Sequence, residues 1–347
     1  MPTLWFILVA FMLSVYVLLD GFDLGAGVIH LFAAKTNQER RAILQAIGPV
    51  WDGNEVWLIA AGGTLFFSFP VLYASSFGGF YLPLIIVLWL LILRGVAIEL
   101  RSHIQNPLWT SFWDAAFFLG STLLVIFYGA ALGNVVRGVP LDKQGHFFEG
   151  LWTNFDPFSL SPGILDWYTI LIALLALVTL TAHGANFIAV KTEDPLNARC
   201  RRISRQAWLA TVVLAVGATV ATFFVQPQMR IGYDSRPWGV IFPIIALGGL
   251  IGMGYYNSRQ RDRAAFLASS AFILGMLIST AFGLYPDVLP AVTPANSLTV
   301  TNASTSQYGL VVGLAWWSFG MVLAIIYFVF IYRLFRGKVQ VMDRGGY

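Results

Sequence analysis

Long apolar runs dominate the chain, broken at intervals by charged or Pro/Gly-rich stretches. A helix needs about 20 apolar residues to cross the hydrocarbon core of a bilayer. Nine runs qualify: 3–33, 50–74, 77–100, 108–135, 164–190, 206–225, 237–256, 264–285 and 309–334. The alternating short segments of a membrane barrel are absent, and an open sheet leaves backbone groups unbonded in lipid. The pattern therefore predicts an all-α polytopic membrane protein with nine transmembrane helices.

The polar positions between the runs set the orientation. Loops after spans 1, 3, 5 and 7, together with the C-terminal tail, hold 16 of the 21 Lys and Arg residues. They include Lys35, Arg40 and Arg41, then Arg199, Arg201, Arg202 and Arg205, and finally Arg336, Lys338 and Arg344. The other side holds Arg137, Lys143, Arg230 and Arg236, and Arg94 falls within the membrane. Basic residues concentrate in cytoplasmic loops, so the N-terminus is predicted outside and the C-terminus in the cytoplasm. The longest connection, 136–163, lies on the outer side. The predicted organisation is two four-helix bundles plus one peripheral helix. Residues 1–150 form the first bundle, with the buried carboxylates, and 151–300 form the second. Residues 301–347 are the ninth helix and a cytoplasmic tail. The halves show no convincing sequence repeat.

Composition narrows the class. The chain is 58% hydrophobic and 11% charged, whereas soluble domains carry about 25% charge. A soluble enzyme, a disordered chain and a nucleic-acid binder are excluded. The basic isoelectric point, near 9.2, reflects the loops. Met1 to Trp5 lack a basic n-region and read as the start of the first span, not as a cleaved signal. The single cysteine, Cys200, rules out an intramolecular disulfide, a cysteine-based zinc site and a cysteine-ligated iron–sulfur cluster. It reads as a bystander in the basic loop 191–205.

Charges inside the hydrocarbon layer are costly and are functional candidates by default. In the first span, Asp20, Asp23, Gly27 and His30 recur at intervals of three or four and line one helix face. Asp23 lies about 15 Å from the cytoplasmic end of the span. The bland alternative is that both aspartates are packing groups, neutral or paired. Gly21 and Gly25 would let another helix approach closely. The second span opens Trp51-Asp52-Gly53-Asn54-Glu55, placing Asp52 and Glu55 about one turn apart, shallower than Asp23. A capping role at the helix N-terminus suits one of the two, but less readily both. The third span carries Arg94 and Arg101 on one face and Glu99 on another. Arg94 cannot shed its proton, so it requires a carboxylate from a neighbouring helix, with Glu55, Asp23 and Asp52 within reach. Asp20, Asp23, His30, Asp52, Glu55 and Glu99, with Arg94 as an ion-pair partner, read as a proton pathway on the cytoplasmic side. Asp114 and Asp166 read as interfacial. His183, with Asn186 one turn later, is either a haem ligand or a hydrogen-bonded packing histidine.

Three segments carry a family likeness. They are Asp20-Gly21-Phe22-Asp23-Leu24-Gly25-Ala26-Gly27, the run from Gly48-Pro49-Val50-Trp51-Asp52-Gly53-Asn54-Glu55 through Ile59, and Leu93-Arg94-Gly95-Val96-Ala97-Ile98-Glu99. Together with Asn302-Ala303-Ser304 before the last span, the chain resembles subunit II of the cytochrome bd-type quinol oxidases. The resemblance implies a subunit of a membrane complex that oxidises quinol and reduces oxygen to water. It implies no cofactor bound by this chain alone, and haem b and haem d in a partner, subunit I. A bound quinone or lipid is left open, and a small single-helix subunit is a further candidate partner. It also implies a multi-pass location in a bacterial or archaeal cell membrane. The family's proton-uptake carboxylates fall here on Asp23 and Asp52. The competing readings are a stand-alone proton-coupled secondary transporter and a structural scaffold whose charges hold a partner.

Overall fold

The computed structural model describes residues 1–151, 156 and 163–339; Arg344 and the end of the tail lie outside the described residues. Twelve helices follow one another among them: α1 (Pro2–Ala33), α2 (Asn37–Ile47), α3 (Trp51–Ser68), α4 (Pro70–Gly79), α5 (Tyr81–Leu100), α6 (Pro107–Arg137), α7 (Trp167–Lys191), α8 (Leu196–Val225), α9 (Pro227–Ser235), α10 (Ile241–Ser258), α11 (Asp262–Leu284) and α12 (Gln307–Leu334). Eight are long and apolar enough to cross a membrane, α10 counted with the short turn before it.

The predicted span 50–74 is broken. It consists of α3 and α4, which meet at 120°. Proline has no N–H to continue the ladder of the preceding helix, and Pro70 opens α4 directly after Phe69, whose backbone leaves the helical region (φ −132°, ψ 64°). The apolar run alone gives no sign of a bend. The third span consequently begins at Tyr81, because residues 77–79 still belong to α4.

The basic connections are more ordered than their composition predicts. The stretch after α1 holds the amphipathic α2, opened by a capping box in which Thr36 and Glu39 satisfy each other's backbone N–H groups. Its apolar face, with Ala42, Ile43 and Ile47, is buried. Much of 191–205 belongs to α8, so Cys200 sits on a helix, fully buried, and not in a loop. A two-stranded antiparallel ribbon, β1 (Asp287–Leu289) with β2 (Leu298–Thr299), adds to the helices. It covers an apolar cluster that includes Trp5, Phe69, Leu141, Leu289 and Leu310.

Helix α1 is the hub, packing against α3, α6, α7 and α11. Its tightest crossing is with α7, where Gly25 meets the backbone at Leu180 and Gly184. Two facing glycines bring the helix backbones into direct contact. Phe22 then stacks on Phe187, ring centroids 3.9 Å apart. Helices α5 and α6 pack together, as do α7 with α8 and α10 with α11. Helix α12 touches α3, and none of its most apolar stretch is buried within this chain.

Candidate functional site

The central feature is a group of charges buried between α1, α3 and α5. Arg94 is fully enclosed. Its Nη1 donates to Asp20 Oδ1 at 2.7 Å and its Nη2 to Glu55 Oε2 at 2.8 Å. One guanidinium fork thus ties the first and second apolar runs to the third. Its partners are Glu55 and Asp20, with neither Asp23 nor Asp52 reaching it directly among these contacts. Asp20 Oδ2 is buried without a hydrogen-bond partner. Glu55 keeps 19% of its side chain exposed, which makes it the outward member of the group.

One turn along α1, Asp23 is also fully buried. Its Oδ2 accepts a hydrogen bond from Asn54 Nδ2 at 2.7 Å, while Oδ1 is unpartnered. Asn54, which looks functionless on its helix, bridges two elements: its Oδ1 accepts from the Tyr332 hydroxyl at 2.9 Å. Deeper in the bundle, Tyr16 donates to the Tyr128 hydroxyl at 3.0 Å.

His30 does not join this group. It belongs to a second cluster, where Asp114 receives His30 Nε2 at 2.6 Å, Arg40 Nη1 at 2.8 Å and Arg101 Nε at 2.9 Å. Arg101 also reaches the Asn37 side chain at 2.7 Å. Asp114 is therefore a buried hub, 1% exposed at its side chain. It fastens α1, α2, α5 and α6 together at one end. Asp166 is a second such buried carboxylate. It caps α7 through Thr169 and pairs with Arg137 at 2.6 Å. Arg137 also holds Glu149, whose carboxyl burial pushes up to about 7 against the pull of that guanidinium.

Asp52 and Glu99 are exposed on α3 and α5 within this chain. His183 has both ring nitrogens engaged, with Ser269 Oγ at 2.8 Å and the Leu18 carbonyl at 3.0 Å, and it stacks on Phe266. Both contacts are those of a hydrogen-bonded packing histidine. Among the described residues, no group of three His, Cys, Asp or Glu side chains is arranged to hold a metal ion.

Sequence reasoning missed the roles of Asp114, Asn54 and the tyrosines. The seven-residue spacing of Arg94 and Arg101 hinted at paired charges, but partners such as Asp114 come from helices far off in sequence.

Apolar helices enclosing an arginine shared by two carboxylates, with a third carboxylate one turn away, define a polytopic membrane protein with an intramembrane titratable cluster. The comparisons make the class specific. The sequence matches the family "Cytochrome bd terminal oxidase subunit II" over residues 1–335. It is 31% identical to "Cytochrome bd-I ubiquinol oxidase subunit 2" of Escherichia coli K12, covering 98% of this chain and 95% of that one. It is 32% identical to "Cytochrome bd ubiquinol oxidase subunit 2" of Bacillus subtilis, covering 88% and 87%. The fold matches a chain of the bd oxidase from Geobacillus thermodenitrificans with a TM-score of 0.69 at 17% identity, covering 96% of this chain and 98% of the other. The chain belongs to the cytochrome bd terminal oxidase subunit II family, and it is one subunit of an oxidoreductase complex of the respiratory chain.

Proposed function

We propose that this chain is the haem-free subunit of a quinol:oxygen oxidoreductase, braces a haem-bearing subunit I, and gives protons a path from the cytoplasm. In this reading the bent pair α3–α4 counts as one span. The chain then crosses the membrane nine times, with its N-terminus outside. Helices α1, α3–α4, α5 and α6 make one bundle, α7, α8, α10 and α11 a second, and α12 stands at the periphery. The names of the relatives, both ubiquinol oxidases, support quinol as the substrate of the complex. A small single-helix subunit and a bound quinone or lipid belong to the same proposal.

The haems, when bound in the partner, supply the reduction of oxygen to water, a reaction that consumes protons. The residues of this chain handle those protons before they reach the partner. The observation that carries the reading is the single buried cation among Asp20, Asp23 and Glu55. One positive charge does not offset three negative ones, and an ionised carboxylate is costly to bury unpaired. Such a group exchanges protons, which suits a relay. Asp52 and Glu55 stand at the accessible side of α3, and Asp20 and Asp23 lie behind them. His30 instead belongs to the Asp114 brace.

Asn is nearly isosteric with Asp but does not titrate. Asp23→Asn and Asp52→Asn are expected to slow quinol-driven oxygen consumption and proton uptake while haem content stays intact. Full activity in both variants, with normal uptake from the cytoplasmic side, would sink the relay.

A further inference from the structure

The last helix, α12, is mostly exposed and apolar, yet it places one hydroxyl against the buried polar group. Asn54 is fully buried, and each of its polar atoms has an assigned partner. Nδ2 donates to Asp23 Oδ2 at 2.7 Å and, more weakly, faces the Leu19 carbonyl at 3.4 Å. Oδ1 accepts from Tyr332. A carbonyl and an ionised carboxylate oxygen only accept, so both call for the amide NH2, whereas a phenol can donate to the amide oxygen left over. With Asp23 ionised, only one amide orientation therefore satisfies all three neighbours. Turned over, the amide would set its oxygen against Asp23 Oδ2 and Leu19 O.

We infer that Tyr332 is a positioning residue for Asp23. By donating to Asn54 Oδ1 it keeps the amide NH2 aimed at Asp23 Oδ2. That fixes the carboxyl rotamer and leaves Oδ1, the atom without a partner, as the oxygen that takes up and releases the proton. Asn54 itself does not relay the proton, because an amide has no accessible second protonation state. The Tyr332–Asn54 arm is thus a strut reaching in from the peripheral helix, and the relay runs past it. The inference rests on the proton-path reading for the function of Asp23, but the geometry it assigns to the carboxyl is independent of turnover.

The test uses the assembled oxidase carrying Tyr332→Phe, which keeps the ring and removes only the hydroxyl. The infrared band of the Asp23 carboxyl is assigned as the one lost in Asp23→Asn, and is then followed in Tyr332→Phe. The expected result is a shift of that band, with proton uptake slowed roughly fivefold, the equivalent of one ordinary hydrogen bond, and with haem content unchanged. An unmoved band in Tyr332→Phe overturns the positioning role whatever happens to activity. If the band moves while Asp23→Asn itself retains full turnover, the strut stands and the relay through Asp23 falls. Asn54→Asp serves as a second variant, since its carboxylate offers no N–H to Asp23 and is expected to move the same band.

Discussion

Arg94 shows how one side chain can hold a membrane interior together. Its guanidinium is planar and delocalised, and its five donors suit two carboxylates at once. Asp20 and Glu55 come from different helices, so the fork pins α1 and α3 to α5. Removing it leaves Asp20 fully buried with no cation. We expect Arg94→Ala to destabilise the subunit by about 3–5 kcal/mol, the range for stranding one member of a buried pair, and to lower the yield of assembled complex. Thermal unfolding of the purified oxidase is the measurement. A variant with unchanged stability would mean that water, and not Arg94, satisfies Asp20. The residue-level logic also separates the histidines. His183 is saturated by Ser269 and Leu18, whereas His30 leans on an aspartate already bound by two arginines.

At the scale of elements, the crossing of α1 and α7 decides where the carboxylates lie. Gly25 sits where any side-chain carbon would run into the Leu180 carbonyl and the Gly184 backbone. Backbone cannot move aside as the end of a flexible side chain can, so the two helices would have to separate. Gly25→Ala is expected to cost about 1–3 kcal/mol through overpacking. The same change at Gly217, where nothing of this chain lies within 4 Å, is expected to be nearly neutral. Thermal denaturation of the two variants side by side checks this. Equal effects would show that the α1–α7 contact yields easily. The short helix α2 acts in the same region: its capping box and the Arg40–Asp114 pair bind a surface element to the ends of α1 and α6.

On the scale of the whole molecule, the exposed apolar area is the dominant fact. Helices α8, α10 and α12 present large side chains such as Val213, Phe224, Leu247, Trp316 and Phe330 outward. Lipid covers such surfaces, and so does a partner. Membership of the subunit II family supplies the partner, subunit I. Expressed alone, this chain is expected to give unstable, colourless material, and the haem spectrum should appear only when a second large subunit co-purifies. Stoichiometric haem in the isolated chain would return the redox chemistry to this subunit.

The sequence by itself determined the membrane class, because apolar run length answers directly to bilayer thickness. It also singled out Asp20, Asp23, His30, Asp52, Glu55, Arg94 and Glu99 as charges placed in apolar runs, since the cost of burying a charge is local to the residue, but not which of them are buried: Asp52 and Glu99 are exposed within this chain. The tertiary structure decided the pairings. Arg94 meets Asp20, 74 positions away, Asn54 joins Asp23 to Tyr332, and His30 turns to Asp114. Spacing along a helix states which face a side chain occupies but not which helix lies opposite. The break at Phe69–Pro70 escaped for a related reason. Hydropathy averages over a window in which one proline weighs little, whereas a single missing N–H is enough to end a helix. Nothing in the pattern around Asp114 and Asp166 showed that they pair with arginines. Arg40 and Arg101 pair with the first and Arg137 with the second, and those contacts exist only after the chain has folded.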